Sequence, residues 1–144
     1  MQKLSKIYYS KKSFNNKYGV PLSIFNTPEK TKFVVLEAGM DKKGEIDFLT
    51  NMIKPDIGLI TNISYAHIKN FKNLDQIAKA KAEIINNIIS GGIFVANRDD
   101  NYFNFFLKEA KRKKIIEELV KRKYNVRGTA DKTSFHLMPN LQTS

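Results

Sequence analysis

The sequence predicts an α/β protein built on an open parallel sheet, and two observations carry that prediction. The first is a set of three short apolar, β-branched runs, Phe33-Val34-Val35-Leu36, Ile57-Gly58-Leu59-Ile60-Thr61 and Gly92-Ile93-Phe94-Val95-Ala96. Each is continuously rather than alternately apolar, the pattern of a strand covered on both faces. The second is that helix-forming stretches lie between them, which is the order of right-handed strand–helix–strand crossovers.

Taken in order, Ile7-Tyr8-Tyr9 supplies a fourth strand ahead of the other three. The stretch from Gly44 to Ile53 places Ile46, Leu49 and Ile53 on one side of a helix, and Lys54-Pro55 stops it. A longer amphipathic helix is expected from Leu74 to Ile89, closed by Ser90-Gly91-Gly92. After Asn97 the lysine-rich stretch 101–123 has helical character, and residues 125–144, with no period and few large apolar side chains, read as a frayed or disordered tail. No internal repeat or low-complexity linker divides the chain.

A chain of 144 residues with 42% hydrophobic and 11% aromatic residues has side chains enough for one real core. Without cysteine it has no disulfide, thiolate metal site or cysteine nucleophile, and it is compatible with a reducing, cytoplasmic setting. No apolar run approaches the roughly 18 residues of a membrane span. The net charge of +11 would by itself point to nucleic acid or an anionic membrane. Its distribution argues against nucleic acid, because residues 1–17 carry five lysines and no acid, residues 108–127 carry nine basic residues against three glutamates, and residues 18–107 are neutral.

In an open parallel sheet ligands collect beyond the carboxyl ends of the strands. There the sequence sets Glu37-Ala38-Gly39 after the first run, Thr61-Asn62-Ile63-Ser64-Tyr65-Ala66-His67 after the second and Asn97-Arg98-Asp99-Asp100 after the third. A carboxylate, an imidazole and an Asn/Asp cluster would therefore share one rim. Lys81 is a further anomaly, since it projects from the middle of the apolar stripe Leu74, Ile77, Ala78, Ile84, Ile85 and Ile88, while Lys79 and Glu83 point elsewhere. Periodicity leaves two readings open: a lysine whose stem covers apolar surface while its ammonium reaches water, or an amine desolvated at the rim, with a lowered pKa and chemical use.

Several motifs in order resemble the central domain of the Mur ligases. They are Phe14-Asn15-Asn16-Lys17-Tyr18-Gly19-Val20-Pro21-Leu22, Leu36-Glu37-Ala38-Gly39 followed by Gly44-Glu45-Ile46, Thr61-Asn62-Ile63 with Ala66-His67-Ile68, Ala78-Lys79-Ala80-Lys81-Ala82-Glu83-Ile84, and Asn97-Arg98-Asp99-Asp100. Within the family the first resembles the branch that joins D-Ala-D-Ala to a UDP-N-acetylmuramoyl-tripeptide in peptidoglycan synthesis. The resemblance implies ATP-dependent formation of an amide through an acyl phosphate, with Mg²⁺ held by Glu37, His67 and a carbamoylated Lys81. It also implies catalytic roles for Lys81 and His67, a place near the nucleotide for Asn97 and Asp99, and one near the UDP-muramoyl-peptide for Asn15 and Asn16. For these last four, turn and loop roles are the alternative.

The family's phosphate-binding loop, Gly-x-x-Gly-Lys-Thr/Ser, would lie roughly ten residues before Met1, and no such sequence occurs in these 144 residues. Asp41-Lys42 stands where the family usually has Asn-His. The expectation is thus an incomplete doubly wound parallel sheet lacking its phosphate loop, with residues 1–104 a partial ATP-binding domain and residues 105–144 a basic helix and tail. Such a chain is expected to be a ligase fragment that is inactive alone, and one alternative is half of a split ligase that works with a complementing polypeptide. The rival expectation is a non-catalytic remnant that serves as an interaction or anion-binding module.

Overall fold

A computed structural model of the chain describes residues 6–11, 13–65 and 70–113. Strands and helices alternate through it: β1 (Ile7–Tyr9), α1 (Gly19–Phe25), β2 (Phe33–Val35), α2 (Glu45–Ile53), β3 (Ile57–Ile60), α3 (Leu74–Ala82), β4 (Ile93–Ala96) and α4 (Phe103–Arg112). All four expected strands form, and every pairing is parallel. β1 pairs with β2, Ile7 opposite Phe33, and β3 pairs with β4, Ile57 opposite Ile93.

These pairs are two separate two-stranded sheets among the described residues, where the sequence predicts one. Coverage differs from expectation too. Phe33, Val34 and Val35 are 59, 46 and 47% exposed, so β2 is apolar without being covered. In β3 the pattern alternates, Gly58 and Ile60 facing the core while Ile57 and Leu59 face out. A continuous apolar run records what a strand is suited to face, and here that cover is missing.

Two apolar clusters hold the fold. Ile60 and Phe94 from the β3–β4 sheet pack with Ala78, Ala82, Ile85 and Ile88, and with Phe106 and Ala110 of α4. The second cluster comprises Met40, Ile46, Phe71, Ile77 and Ala80, and Ile63 and Ile84 pack against both. Close approach explains Gly58, because a Cβ there would lie 2.7 Å from Ile88 Cδ1.

The expected helix over 74–89 is not continuous. α3 ends at Ala82 and tightens into a 3-10 helix over Glu83–Asn87. The cause lies in the contacts of those residues with α2: the Asn87 amide donates to Asp47 O, Asp47 Oδ1 and Thr50 Oγ1, and the Asn86 amide to Asp47 Oδ1. α2 itself ends as expected, Lys54 adopting a left-handed φ of 49° directly before Pro55. α1 was not expected from the sequence, and α4 runs through the division anticipated at 104/105 with Phe106 and Ala110 buried in the core. No helix among the described residues is long and apolar enough to cross a membrane.

Candidate functional site

The rim beyond the strand ends is assembled as two groups. In the first, Asn15 Nδ2 donates to Glu37 Oε1 at 2.9 Å, and the Gly39 N–H donates to Asn15 O at 2.6 Å. A Cβ at 39 would come within 2.8 Å of the Asn15 side chain and force it to shift, so the close approach favours glycine there. Ser10 Oγ, just after β1, accepts from the Glu37 N–H at 3.2 Å. The segment around Asn15 and the Glu37-Ala38-Gly39 stretch, far apart in sequence, thus form one unit that orients the Glu37 carboxylate.

The second group surrounds Lys81. Its Nζ donates to Asn62 O, in the segment leaving β3, at 3.0 Å. Burial pushes the amine's pKa below the ordinary lysine value, and the Asp100 carboxylate pulls the other way. Desolvation is the larger influence, so the amine is more readily neutral than a surface lysine. Asp100 is fixed by the backbone: Oδ2 accepts from the Ile63 N–H at 2.7 Å and Oδ1 from the Tyr102 N–H at 2.8 Å. Tyr102 in turn donates its hydroxyl to Asp75 Oδ1 at 2.6 Å, and this bond to a carboxylate, foremost among the causes, pushes its pKa up to about 12. Loop, α3 and the start of α4 are therefore tied together around the lysine.

Of the residues expected from sequence, Asn15 and Glu37 touch directly, and Lys81 takes its place beside Asn62 and Asp100. The two groups meet through the second cluster, on which both Ala38 and Ile63 pack. Asn16 accepts from the Tyr18 and Gly19 N–H groups at 3.0 and 2.9 Å, which makes it a cap for α1. Asn97 accepts from the Asp99 N–H at 3.0 Å, a local turn that closes β4, and Asp99 is exposed. His67 lies outside the described residues. Among the described residues no three His, Cys, Asp or Glu side chains gather as a metal cluster.

Replacing Asn16 by Ala removes the α1 cap and is expected to cost about 1 kcal/mol, whereas Asn16→Asp retains most of it. Thermal melts of the two variants check this, and an unchanged Ala variant would leave Asn16 without a capping role.

The sequence reading missed Glu83, expected to point away from the core. It is 9% exposed, and its carboxylate accepts from the Gly44 N–H at 2.9 and 3.0 Å and the Asp47 N–H at 3.2 Å. A signal was present, because a helix begun by Gly44 has no side chain to satisfy its first amides and needs an acceptor from elsewhere. Asp100 belongs to the Asn/Asp cluster legible in the sequence, and its bridging role depends on the loop geometry.

Comparison with known proteins gives consistent matches. Residues 1–142 match the Mur ligase middle domain. The chain is 36% identical over 110 residues to the UDP-N-acetylmuramoyl-tripeptide–D-alanyl-D-alanine ligase of Buchnera aphidicola subsp. Baizongia pistaciae, 76% of this chain and 24% of that protein. It is 42% identical over 88 residues to the ligase of the same name from Bacillus subtilis, 61% of this chain and 19% of that protein. The fold is similar to MurF from Acinetobacter baumannii, with a TM-score of 0.73 and 28% identity over 76% of this chain and 24% of that one. It is also similar to MurF ligase from Thermotoga maritima in complex with ADP, with a TM-score of 0.66 and 29% identity over 75% of this chain and 25% of that one. The chain spans about a quarter of the length of these relatives, 24% in the first.

Proposed function

We propose, from the premise that this chain belongs to the Mur ligase middle-domain family, that it is part of an ATP-dependent ligase joining D-Ala-D-Ala to a UDP-N-acetylmuramoyl-tripeptide. The observation that carries the reading is Lys81, a half-buried lysine at the carboxyl rim of a parallel sheet whose amine is bonded to Asn62 O. A lysine that only covers apolar surface would send its ammonium into solvent. The names of the relatives support the amide-bond reaction, and the ADP complex of the Thermotoga maritima ligase supports ATP as the phosphoryl donor.

Mechanistically, the lowered pKa gives Lys81 more of the neutral amine near pH 7, the form that adds CO₂. A nitrogen–carbon bond forms, one proton leaves to solvent, and the side chain becomes a carbamate with oxygen donors. That change decides whether Mg²⁺ fits, because as an ammonium Lys81 repels a cation, while a carbamate and the Glu37 carboxylate are hard oxygen donors suited to it. Carbamoylated Lys81, Glu37 and His67 would hold the ion, which when bound would offset charge on the nucleotide and acyl phosphates. Asn15 keeps the Glu37 carboxylate oriented through its 2.9 Å bond. Asn97 and Asp99 would lie toward the nucleotide and Asn15 and Asn16 toward the muramoyl-peptide, in a cytoplasmic enzyme. The chain is expected to act with further polypeptide, in one chain or as half of a split ligase, and to release no phosphate from ATP by itself.

The test is carbon NMR of the purified protein in ¹³C-bicarbonate. A carbamate resonance that rises with pH between about pH 7 and 9, as the amine loses its proton, is expected in the parent and absent in Lys81→Arg. No resonance in the parent would overturn the carbamate role. A second reading, a non-catalytic interaction module, is favoured by the apolar side chains exposed on β1 and β2, and it predicts no carbamate.

A further inference from the structure

We infer that Asp100 is a positioning residue for Lys81, acting through the single peptide group that joins Asn62 to Ile63, and that Tyr102 and Asp75 hold Asp100 in place for that role. The inference deepens the preceding reading and rests on it for what Lys81 does. Neither Asp75 nor Tyr102 belongs to the motifs that carry the family resemblance.

The peptide between Asn62 and Ile63 is gripped at both ends. Its carbonyl oxygen, Asn62 O, accepts from Lys81 Nζ at 3.0 Å, and its N–H, on Ile63, donates to Asp100 Oδ2 at 2.7 Å. A trans peptide is planar, with N–H and C=O pointing in opposite directions, so holding one end aims the other. A carboxylate on the N–H also polarises the group and makes its oxygen a stronger acceptor. Asp100 therefore sets both where the lysine's acceptor lies and how firmly it binds.

Asp100 is itself held from behind. Its Oδ1 accepts from the Tyr102 N–H at 2.8 Å, its own N–H donates to Asn97 O at 3.2 Å, and its backbone oxygen accepts from the Phe103 N–H at 3.0 Å. The Tyr102 hydroxyl then donates to Asp75 Oδ1 at 2.6 Å. Asp75 stands in the first turn of α3 and Lys81 in its last, about 9 Å apart along the axis at the rise of an α-helix. The path from Lys81 through the 62–63 peptide, Asp100 and Tyr102 to Asp75 thus begins and ends on one helix. Asp100 cannot move relative to the lysine without opening one of its bonds.

The chemistry gains from this placement. With one hydrogen committed to Asn62 O, the neutral amine keeps its lone pair for CO₂. As the nitrogen–carbon bond forms, one oxygen takes up the electron pair of a C=O bond and a proton leaves to solvent, so the nitrogen retains a single hydrogen. That hydrogen stays on Asn62 O, which fixes the plane of the carbamate and the side to which its oxygens point.

The test uses the whole chain, ¹³C-bicarbonate at fixed concentration and pH, and acetic anhydride as a probe of amine access read by mass spectrometry. Asp100→Asn offers one acceptor to two N–H groups, and Tyr102→Phe removes the hydroxyl while leaving every charge. Carbamate occupancy is expected to fall about threefold or more in the first and about twofold in the second, the scale of one lost hydrogen bond. In Asp75→Asn, whose oxygen still accepts from Tyr102, it is expected to stay at the parent value. Loss of the Asp100 charge alone would act the other way, because that carboxylate favours the ammonium. Acetylation of Lys81 should quicken about twofold or more in Tyr102→Phe relative to the other lysines. Unchanged occupancy and labelling in Asp100→Asn and Tyr102→Phe would overturn the inference, as would equal losses in Asp75→Asn that track the urea midpoint. The two readings separate cleanly. A parent carbamate that neither variant alters leaves the ligase reading standing and removes this one. Without a carbamate in the parent the ligase role of Lys81 falls, and faster acetylation in Tyr102→Phe but not in Asp75→Asn still upholds the positioning.

Discussion

Phe106→Ala is expected to destabilise the protein by about 3–5 kcal/mol, read as a fall in the urea midpoint at unchanged slope. Phe106 is 1% exposed and is among the largest fully buried side chains. Its ring meets Phe94 edge-on with centroids 6.3 Å apart and lies 5.4 Å from Phe105. Truncation therefore removes both apolar burial and an aromatic pair, and opens a cavity between α4 and β4 that the short strand cannot close. Since a domain's whole stability is of order 5–15 kcal/mol, much of the population would unfold. Phe25→Ala is the matched control: that ring is 86% exposed, and its loss should stay within about 0.5 kcal/mol. Equal effects at both positions would mean that α4 does not dock on the core as described.

Glu83→Ala is expected to cost about 2–4 kcal/mol, because it leaves the Gly44 and Asp47 N–H groups without their acceptor in a partly buried place. It also removes the negative charge that faces the amino end of α2. Glu83→Gln retains an oxygen acceptor while losing the charge, so its midpoint should lie between those of the parent and the Ala variant. If Gln and Ala were equally destabilising, charge rather than hydrogen bonding would hold the helix, and if neither mattered, the clamp would be incidental. Exchange at the first amides of α2 should quicken in the Ala variant ahead of global unfolding.

Much of the secondary structure was legible from local signals. β-branched runs marked the strands, and Lys54-Pro55 marked the end of α2 because proline excludes helical geometry from the residue before it. α1 was missed, since Gly19-Val20-Pro21-Leu22 begins with poor helix formers and its start depends on Asn16 capping Gly19. The long helix was broken by Asn86 and Asn87 reaching across to Asp47, contacts about 40 positions apart that no periodicity reveals. For the site, Lys81 stood out because a cation in an apolar stripe breaks the pattern. Asn15 and Asn16 looked alike in the sequence and differ in the structure: one orients the Glu37 carboxylate, the other caps a helix.

The sequence by itself determined the alternation of strands and helices, the parallel sense of the strands and the polar residues at their carboxyl ends. These depend on local propensity and on the short reach of each crossover. Only the tertiary structure decided that Asn62 O receives Lys81, that Glu83 faces into the core, and that the strands stand as two pairs with uncovered faces. Each of those turns on which surfaces are brought together across the chain, and an apolar strand reads the same in sequence whether or not its cover is present.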